Sequence, residues 1–322
     1  RSTVLIATSL AMALLTGCGD DPNVFSIVGD ELPGGVFLGV ASVGDEAIFV
    51  GGQLDGGKGI LARYSDKGLC IEDNVSTRAL WWIHSAREGE WYAVGEGGTI
   101  IHSLNGVRTD ESVETDAIFY GVWDAGDRVI AVGGDLRAER GEVWVRQAGN
   151  WSLLEGNLPG VVFKIWDQWL VGQSVAYHLE GDELIERFPP AGTIMLTVVG
   201  RNDNDVWAAS SLASSALMHW NGESWDSIEP DPACSSQGLN GVWTESGADV
   251  WTAGNYSAMG AFDGKGWDCP ELQLTFEHFH AVTKHGNEML WAGGNLLNRG
   301  NNFGTIGRYG KGERPLVATA CE

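Results

Sequence analysis

Basic residues are scarce: the 322-residue chain has 20 Lys and Arg against 43 Asp and Glu, a formal net charge of −23. A surface of that sign repels phosphate backbones and anionic headgroups, which argues against nucleic acid as a partner. Proline is scarce as well, at nine residues. No apolar pattern of helical period is sustained beyond the N-terminus, so a helical bundle or a doubly wound α/β fold is excluded. Only five cysteines are present, and no Cys/His spacing matches a zinc site. No glycine-rich stretch precedes a helix, which removes phosphate-loop readings. Neither a cofactor nor a metal is expected. What the chain does have is 46 Gly and 15 Trp, the composition of many short strands joined by tight turns.

Those strands repeat. Residues 239–254, LNGVWTESGADVWTAG, hold two short runs rich in β-branched and aromatic residues around a polar turn. Related stretches place a Val or Ile in the first run at Val40, Ile83, Val122, Ile165, Val199, Val242 and Val282. A small residue closes the second run at Gly51, Gly95, Gly133, Gly172, Ser211, Gly254 and Gly293, at spacings of 44, 38, 39, 39, 43 and 39 residues. Each Gly is followed by a loop, a short apolar run and another Gly turn, clearest in MHWNGESW (218–225) and AFDGKGWD (261–268). The period is close to the roughly 40–45 residues of one propeller blade. One four-stranded sheet cannot cover its own apolar faces, so neighbours must stack and close into a ring. The expectation is an all-β, seven-bladed β-propeller of four-stranded antiparallel blades, sealed by joining the chain's two ends. Segment 23–33, NVFSIVGDELP, parallels 150–159, NWSLLEGNLP. Either 25–28 or 315–320 supplies the outer strand of the last blade.

Ahead of the repeats lies an apolar run, 4–15, too short to span a bilayer and typical of a secretory signal. It ends in Leu15-Thr16-Gly17-Cys18, which resembles the lipobox of bacterial lipoproteins. The resemblance implies cleavage before Cys18 and acylation of Cys18, a firm membrane anchor. It divides the chain into a signal peptide at 1–17, a tether at 18–22 and a propeller at 23–322. Gly19 rather than Asp after the cysteine favours the outer membrane by analogy with enteric sorting. Loss of 1–17 removes one Arg and no acid, moving the charge from −23 to −24.

An exported chain meets an oxidising compartment, so Cys70, Cys234, Cys269 and Cys321 are expected to pair. Three connectivities are possible, and the repeat register selects among them. Cys234–Cys269 links units five and six, and Cys70–Cys321 links units one and seven by the same geometry.

Phrases such as DVWTAG, EWYAVGEGGTIIH and HWNGESW resemble the DVWAVG-type repeats of bacterial secreted propellers, which shade into the Asp-box (BNR-like) and tectonin families. The resemblance implies the fold over nearly the whole chain from residue 35. It carries little about function, because sialidases, lectins and assembly factors share such repeats. No catalytic residues are assigned. His102, His178 and His219 occupy one slot in three units and cannot converge on an ion. His278 and His280 form a possible x-His-x-His pair without a third ligand. Trp151, Trp225 and Trp267 are read as filling seams between blades, and Trp123, Trp166 and Trp243 lie nearer the axis. A sialidase-like site would need an Arg triad, and only Arg137, Arg140 and Arg299 are on loops reaching one face. The favoured function is therefore a non-catalytic, monomeric binding propeller of the bacterial envelope, taking a glycan or envelope protein. A glycan-processing hydrolase and an outer-membrane assembly or scaffold lipoprotein are the alternatives. Loop lengths on the face of the second-to-third-strand connections nominate a rim of Asp55, Arg137, Arg140, Asn255, Tyr256, Asn295 and Arg299.

Overall fold

The structure, a computed structural model, describes residues 21–54, 56–189, 192–210, 217–234, 237–245, 249–298 and 301–321. Seven antiparallel sheets form seven blades. Their inner strands, in order, are Val36–Val43, Leu80–Arg87, Ile118–Asp124, Val162–Trp166, Met195–Asn202, Leu239–Trp243 and His278–His285. The first of these packs against both the second and the seventh, so the ring is closed. Blade seven borrows its outer strand from the other end of the chain: Asn23–Leu32 pairs antiparallel with Gly304–Lys311. Segment 25–28 thus takes the contested place. The C-terminal segment crosses instead to blade one, where Thr319 and Ala320 lie parallel beside Cys70 and Ile71. On the way the Leu316 N–H donates to Val28 O at 2.7 Å, and Leu316 and Ala318 pack on the core of the first blade. Disulfides join Cys70 to Cys321 and Cys234 to Cys269, the pairing the repeat register selects.

A short alignable quartet begins every blade: FLGV (37–40), LWWI (80–83), FYGV (119–122), VFKI (162–165), MLTV (195–198), LNGV (239–242) and FHAV (279–282). In all seven the second residue of the quartet is skipped by the ladder. Phe37 opposes Gly51 and Gly39 opposes Val50, leaving Leu38 unpaired, and the same break recurs at Trp81, Tyr120, Phe163, Leu196, Asn240 and His280. These are β-bulges, which bend a strand and re-aim one side chain. Here each turns a residue of the innermost strand away from its own sheet. The bulge also accounts for the recurrent glycine opposite it. A Cβ on Gly133 would lie 2.0 Å from Ile118 O, and on Gly51, Gly95 or Gly172 it would meet the equivalent carbonyl at 1.8–2.1 Å. Blade five corrects the sequence register by one. Its quartet valine is Val198, 5 % accessible, rather than Val199, and the closing small residue is Ser210, opposite Met195, rather than Ser211.

The acid-x-Trp phrase is explained by a second recurrent contact. Asp205 begins a second strand and accepts from Trp207 Nε1 at 2.8 Å, His219 Nε2 at 2.8 Å and Arg201 Nη1 at 3.1 Å. Glu46 with Arg63, Glu90 with His102 and Glu288 with Arg308 repeat the acid-to-third-strand pairing in blades one, two and seven. Two of the histidines in this slot are therefore structural: His102 stacks on Tyr92 at 4.2 Å and His219 on Trp207 at 4.1 Å. Fourth-strand tryptophans fill seams as expected. Trp225 closes against Trp169 and Trp220, while Trp151 and Trp267 pack on the adjoining cores. Trp169 and Trp291 are fully buried, and truncating either to Ala should cost about 3–5 kcal/mol.

Candidate functional site

The ring has two faces. One carries the second-to-third-strand loops and the blade-to-blade connections, and the other carries the first-to-second and third-to-fourth turns. The nominated rim belongs to the first, but its members do not form one cluster. Asp55 and Arg299 lie outside the described residues, as does Cys18. Arg137 stands exposed on a four-residue turn, 136–139, whose backbone is held by Asp135 Oδ1 at 2.8 Å. Arg140 is not on a loop: it opens the strand Arg140–Gln147 and lies 3.4 Å from Glu142. Both belong to blade three, across the ring from blades six and seven, where the other members lie.

Two of those other members are tied into the fold. Asn255 Oδ1 accepts from Asn240 Nδ2 at 2.9 Å and from His278 Nδ1 at 3.0 Å, and its Nδ2 donates to Gln237 O at 2.9 Å. Asn295 is tied to the far end of its own loop, accepting at its carbonyl from Asn302 Nδ2 at 2.7 Å. Tyr256 is different. It is 46 % accessible and holds a left-handed backbone (φ 55°) that few non-glycine residues adopt.

The connection from blade six to seven and the loop after it expose apolar side chains. Leu272 is 78 % accessible, Phe276 77 % and, on the next loop, Leu297 75 %. The connection from blade six to seven is fastened against the Tyr256 turn: Ser257 N–H donates to Glu277 O at 2.6 Å, and Gln273 Nε2 bridges Thr275 O and Tyr256 O. The Tyr256 ring lies 4.7 Å from His278. Leu274 turns inward onto the blade-seven core. Acids flank the group. Burial pushes the Glu277 carboxyl up, and the charges of Asp30 and Glu31 push it further. The alternation Leu272-Leu274-Phe276 was visible in the sequence, but reading loop length alone passed over it. Exposed contiguous apolar surface is the better mark of an interaction site.

The opposite face holds a cavity of about 950 Å³ between blades seven, one and two. The arginines at its walls and floor already have partners. Arg63 pairs with Glu46 at 2.8 Å, Arg308 with Glu288, and Arg314 donates to Tyr64 Oη at 2.9 Å. Tyr64 in turn donates to Glu288 at 2.6 Å, and burial followed by that carboxylate pushes its phenol up to about 12. The cavity is a seam that locks blade seven to blade one. Among the described residues no three His, Cys, Asp or Glu side chains are placed to share a metal ion. The x-His-x-His pair is split by the bulge: His278 faces Asn255, whereas His280 donates from Nδ1 to Leu38 O at 2.7 Å.

Solved propellers share this architecture. A structure described as YCF48 bound to D1 peptide superposes with a TM-score of 0.65 at 15 % identity, covering 90 % of this chain and 97 % of that one. Virginiamycin B lyase from Staphylococcus aureus gives 0.67 at 10 % identity over 89 % of this chain and 99 % of its own. The WD40 propeller domain of Doa1 gives 0.65 at 10 % identity, over 90 % and 98 %. No family model and no curated protein sequence matches the chain. At such identities the likeness establishes the ring and nothing about its chemistry.

Proposed function

We propose that the chain is a non-catalytic, envelope-anchored binding propeller whose blade-six and blade-seven loops take a protein segment bearing apolar and basic side chains. The observation that carries this is the exposed group of Tyr256, Leu272, Phe276 and Leu297 with acids beside it. Aromatic and aliphatic anchors supply most of the energy of such docking, and an acidic border steers a basic partner. The net charge of −23 favours the same sign of partner. That YCF48, a propeller of the same architecture, is described with a bound peptide supports the ligand class. A glycan would need free hydrogen-bonding groups, and the Asn255 amide has its own committed. The hydrolase reading is weakened because Arg137 and Arg140 lie across the ring from this surface. The lipid at Cys18 would hold the propeller beside the membrane, on the strength of its lipobox-like sequence.

The test is fluorescence anisotropy with a labelled peptide of alternating Leu and Lys, beside a version with Glu in place of Lys. Binding of the Lys peptide, weakened at least about tenfold by Leu272→Ser with Phe276→Ser and reduced by salt, is expected. Equal binding of the Glu peptide, or no effect of the double substitution, would refute the reading.

A further inference from the structure

Blade four departs from the repeat where its first two strands turn. In blades one, two, five and seven the ladder runs on to Glu46, Glu90, Asp205 and Glu288 before the chain turns. In blade four it stops at Trp166 opposite Trp169. Asp167, which stands where those acids stand relative to the closing small residue, therefore falls in the turn itself with a left-handed backbone (φ 50°). The third-strand histidine is left without its acid. His178 lies opposite Trp169 as His102 lies opposite Tyr92 and His219 opposite Trp207. Yet its Nδ1 is 3.4 Å from Glu180 without the alignment of a hydrogen bond. Its Nε2 is 3.9 Å from Asp203 Oδ1 on blade five, beyond hydrogen-bond reach.

Where the hairpin stops short, the seam between blades four and five is open. Two adjoining clefts of about 410 and about 430 Å³ lie there, with Arg187 and Trp220 in the walls of both. His178, Asp203 and Asn204 line the first, and Phe188 lines the second. The Trp220 indole is held by Trp169 at 5.2 Å and Trp225 at 5.8 Å, yet it stays partly accessible. Phe188 is 76 % accessible. Unlike the arginines of the large cavity, the polar groups here are uncommitted. The side chains of Asp203 and Asn204 and the Trp220 Nε1 have no hydrogen-bond partner among the described residues, and the Asp203 carboxylate is exposed. Arg187 makes only two long contacts, with Glu180 at 3.4 Å and with Glu186 O at 3.5 Å.

The free set is mixed. Arg187, Trp220 Nε1 and the Asn204 amide nitrogen donate, Asp203 and the Asn204 side-chain oxygen accept, and His178 Nε2 does either according to its tautomer. A cation would leave the donors unmatched and would face Arg187, whereas a carboxylate would face Asp203. Hydroxyl groups donate and accept at once, and the C–H face of a sugar ring can lie flat on an accessible aromatic ring. We infer that the seam between blades four and five binds a neutral saccharide, its apolar face against Trp220 and Phe188 and its hydroxyls bonded to Asp203, Asn204, His178 and Arg187. The site is separate from the blade-six and blade-seven surface and does not rest on that reading.

The test is an array of neutral oligosaccharides probed with the full chain, followed by titration of the retained sugar, and of choline beside it, against the intrinsic tryptophan fluorescence. Retention of at least one neutral sugar, with a saturable change in emission, is expected. Asp203→Ala should weaken binding about tenfold and Phe188→Ser several-fold. Both side chains are exposed, so Tm should hold in each variant. Leu272→Ser with Phe276→Ser should leave sugar binding intact, which keeps a failure at the peptide surface distinct from a failure here. Retention of no sugar, undiminished binding by either seam variant, or binding of choline in preference to every sugar would overturn the inference.

Discussion

The two disulfides close loops of very different length, which makes their relative worth calculable. Cys70 and Cys321 are 251 residues apart, Cys234 and Cys269 only 35. Chain-entropy arithmetic gives ceilings of about 5.5 and about 3.8 kcal/mol for the two cross-links. The length-independent constant cancels in the difference. The ratio of loop lengths leaves about 1.7 kcal/mol in favour of the ring-spanning bond. The segment that the long-range bond fastens is also held by Arg314 on Tyr64 and Ser65, by Leu316 and Ala318 and by a two-residue strand, contacts that remain when the bond is removed. The assay is urea unfolding of Cys70→Ser/Cys321→Ser and Cys234→Ser/Cys269→Ser double variants, with mass spectrometry confirming that the remaining bond is formed. The ring-spanning pair should lose more stability, by roughly 1–2 kcal/mol. Equal losses, or a larger loss for the shorter loop, would show that the ends remain associated in the unfolded chain and that the entropic reasoning fails.

Three other outcomes follow from the geometry. Gly133→Ala puts a Cβ 2.0 Å from Ile118 O and should destabilise the fold by about 3 kcal/mol or more, read as a fall in the urea midpoint. Asp205→Ala strips an acceptor from Trp207, His219 and Arg201 and should cost about 2–4 kcal/mol, whereas removing the exposed Glu223 should change little. Burial lowers the His84 pKa to about 4, and burial followed by the Lys164 charge lowers that of His280 to about 3. Their folded values lie below the unfolded one, so the unfolded chain binds more protons as pH falls from about 6.5 towards 4, and stability drops. About 2.7 kcal/mol per pH unit for the pair is a ceiling. Thermal melts at pH 7, 6 and 5 should show this slope, and His84→Phe, which retains the stack on Trp123, should flatten it.

Much of the fold was legible because its constraints are local and repeated. A glycine that must clear a carbonyl, and a valine that must enter a blade, recur about every 40 residues, a signal no single strand could give. Register across the ring then selected the disulfides. The one-residue slip at Val198 arose because blade five has Ser210 where other blades have Gly, which removed the landmark. The candidate sites were less legible. Loop length suggested a rim, yet Arg140 lies on a strand and Asn255 ties blade six to blade seven, facts set by pairing partners distant in sequence. The bulges were invisible because a residue skipped by the ladder looks like any other in an apolar run. Nothing in the run 161–166 marks Lys164 as buried, because its partner Tyr120 O lies on the preceding blade.

The proposed peptide surface exists only if Asn23–Leu32 completes the seventh blade and so shuts the ring. Native-state hydrogen–deuterium exchange addresses this directly. The account predicts that amides of Asn23–Leu32 are protected to the same degree as those of Gly304–Lys311, and that deleting residues 1–32 releases protection in that partner strand. Rapid exchange throughout Asn23–Leu32, with Gly304–Lys311 unchanged by the deletion, would contradict it.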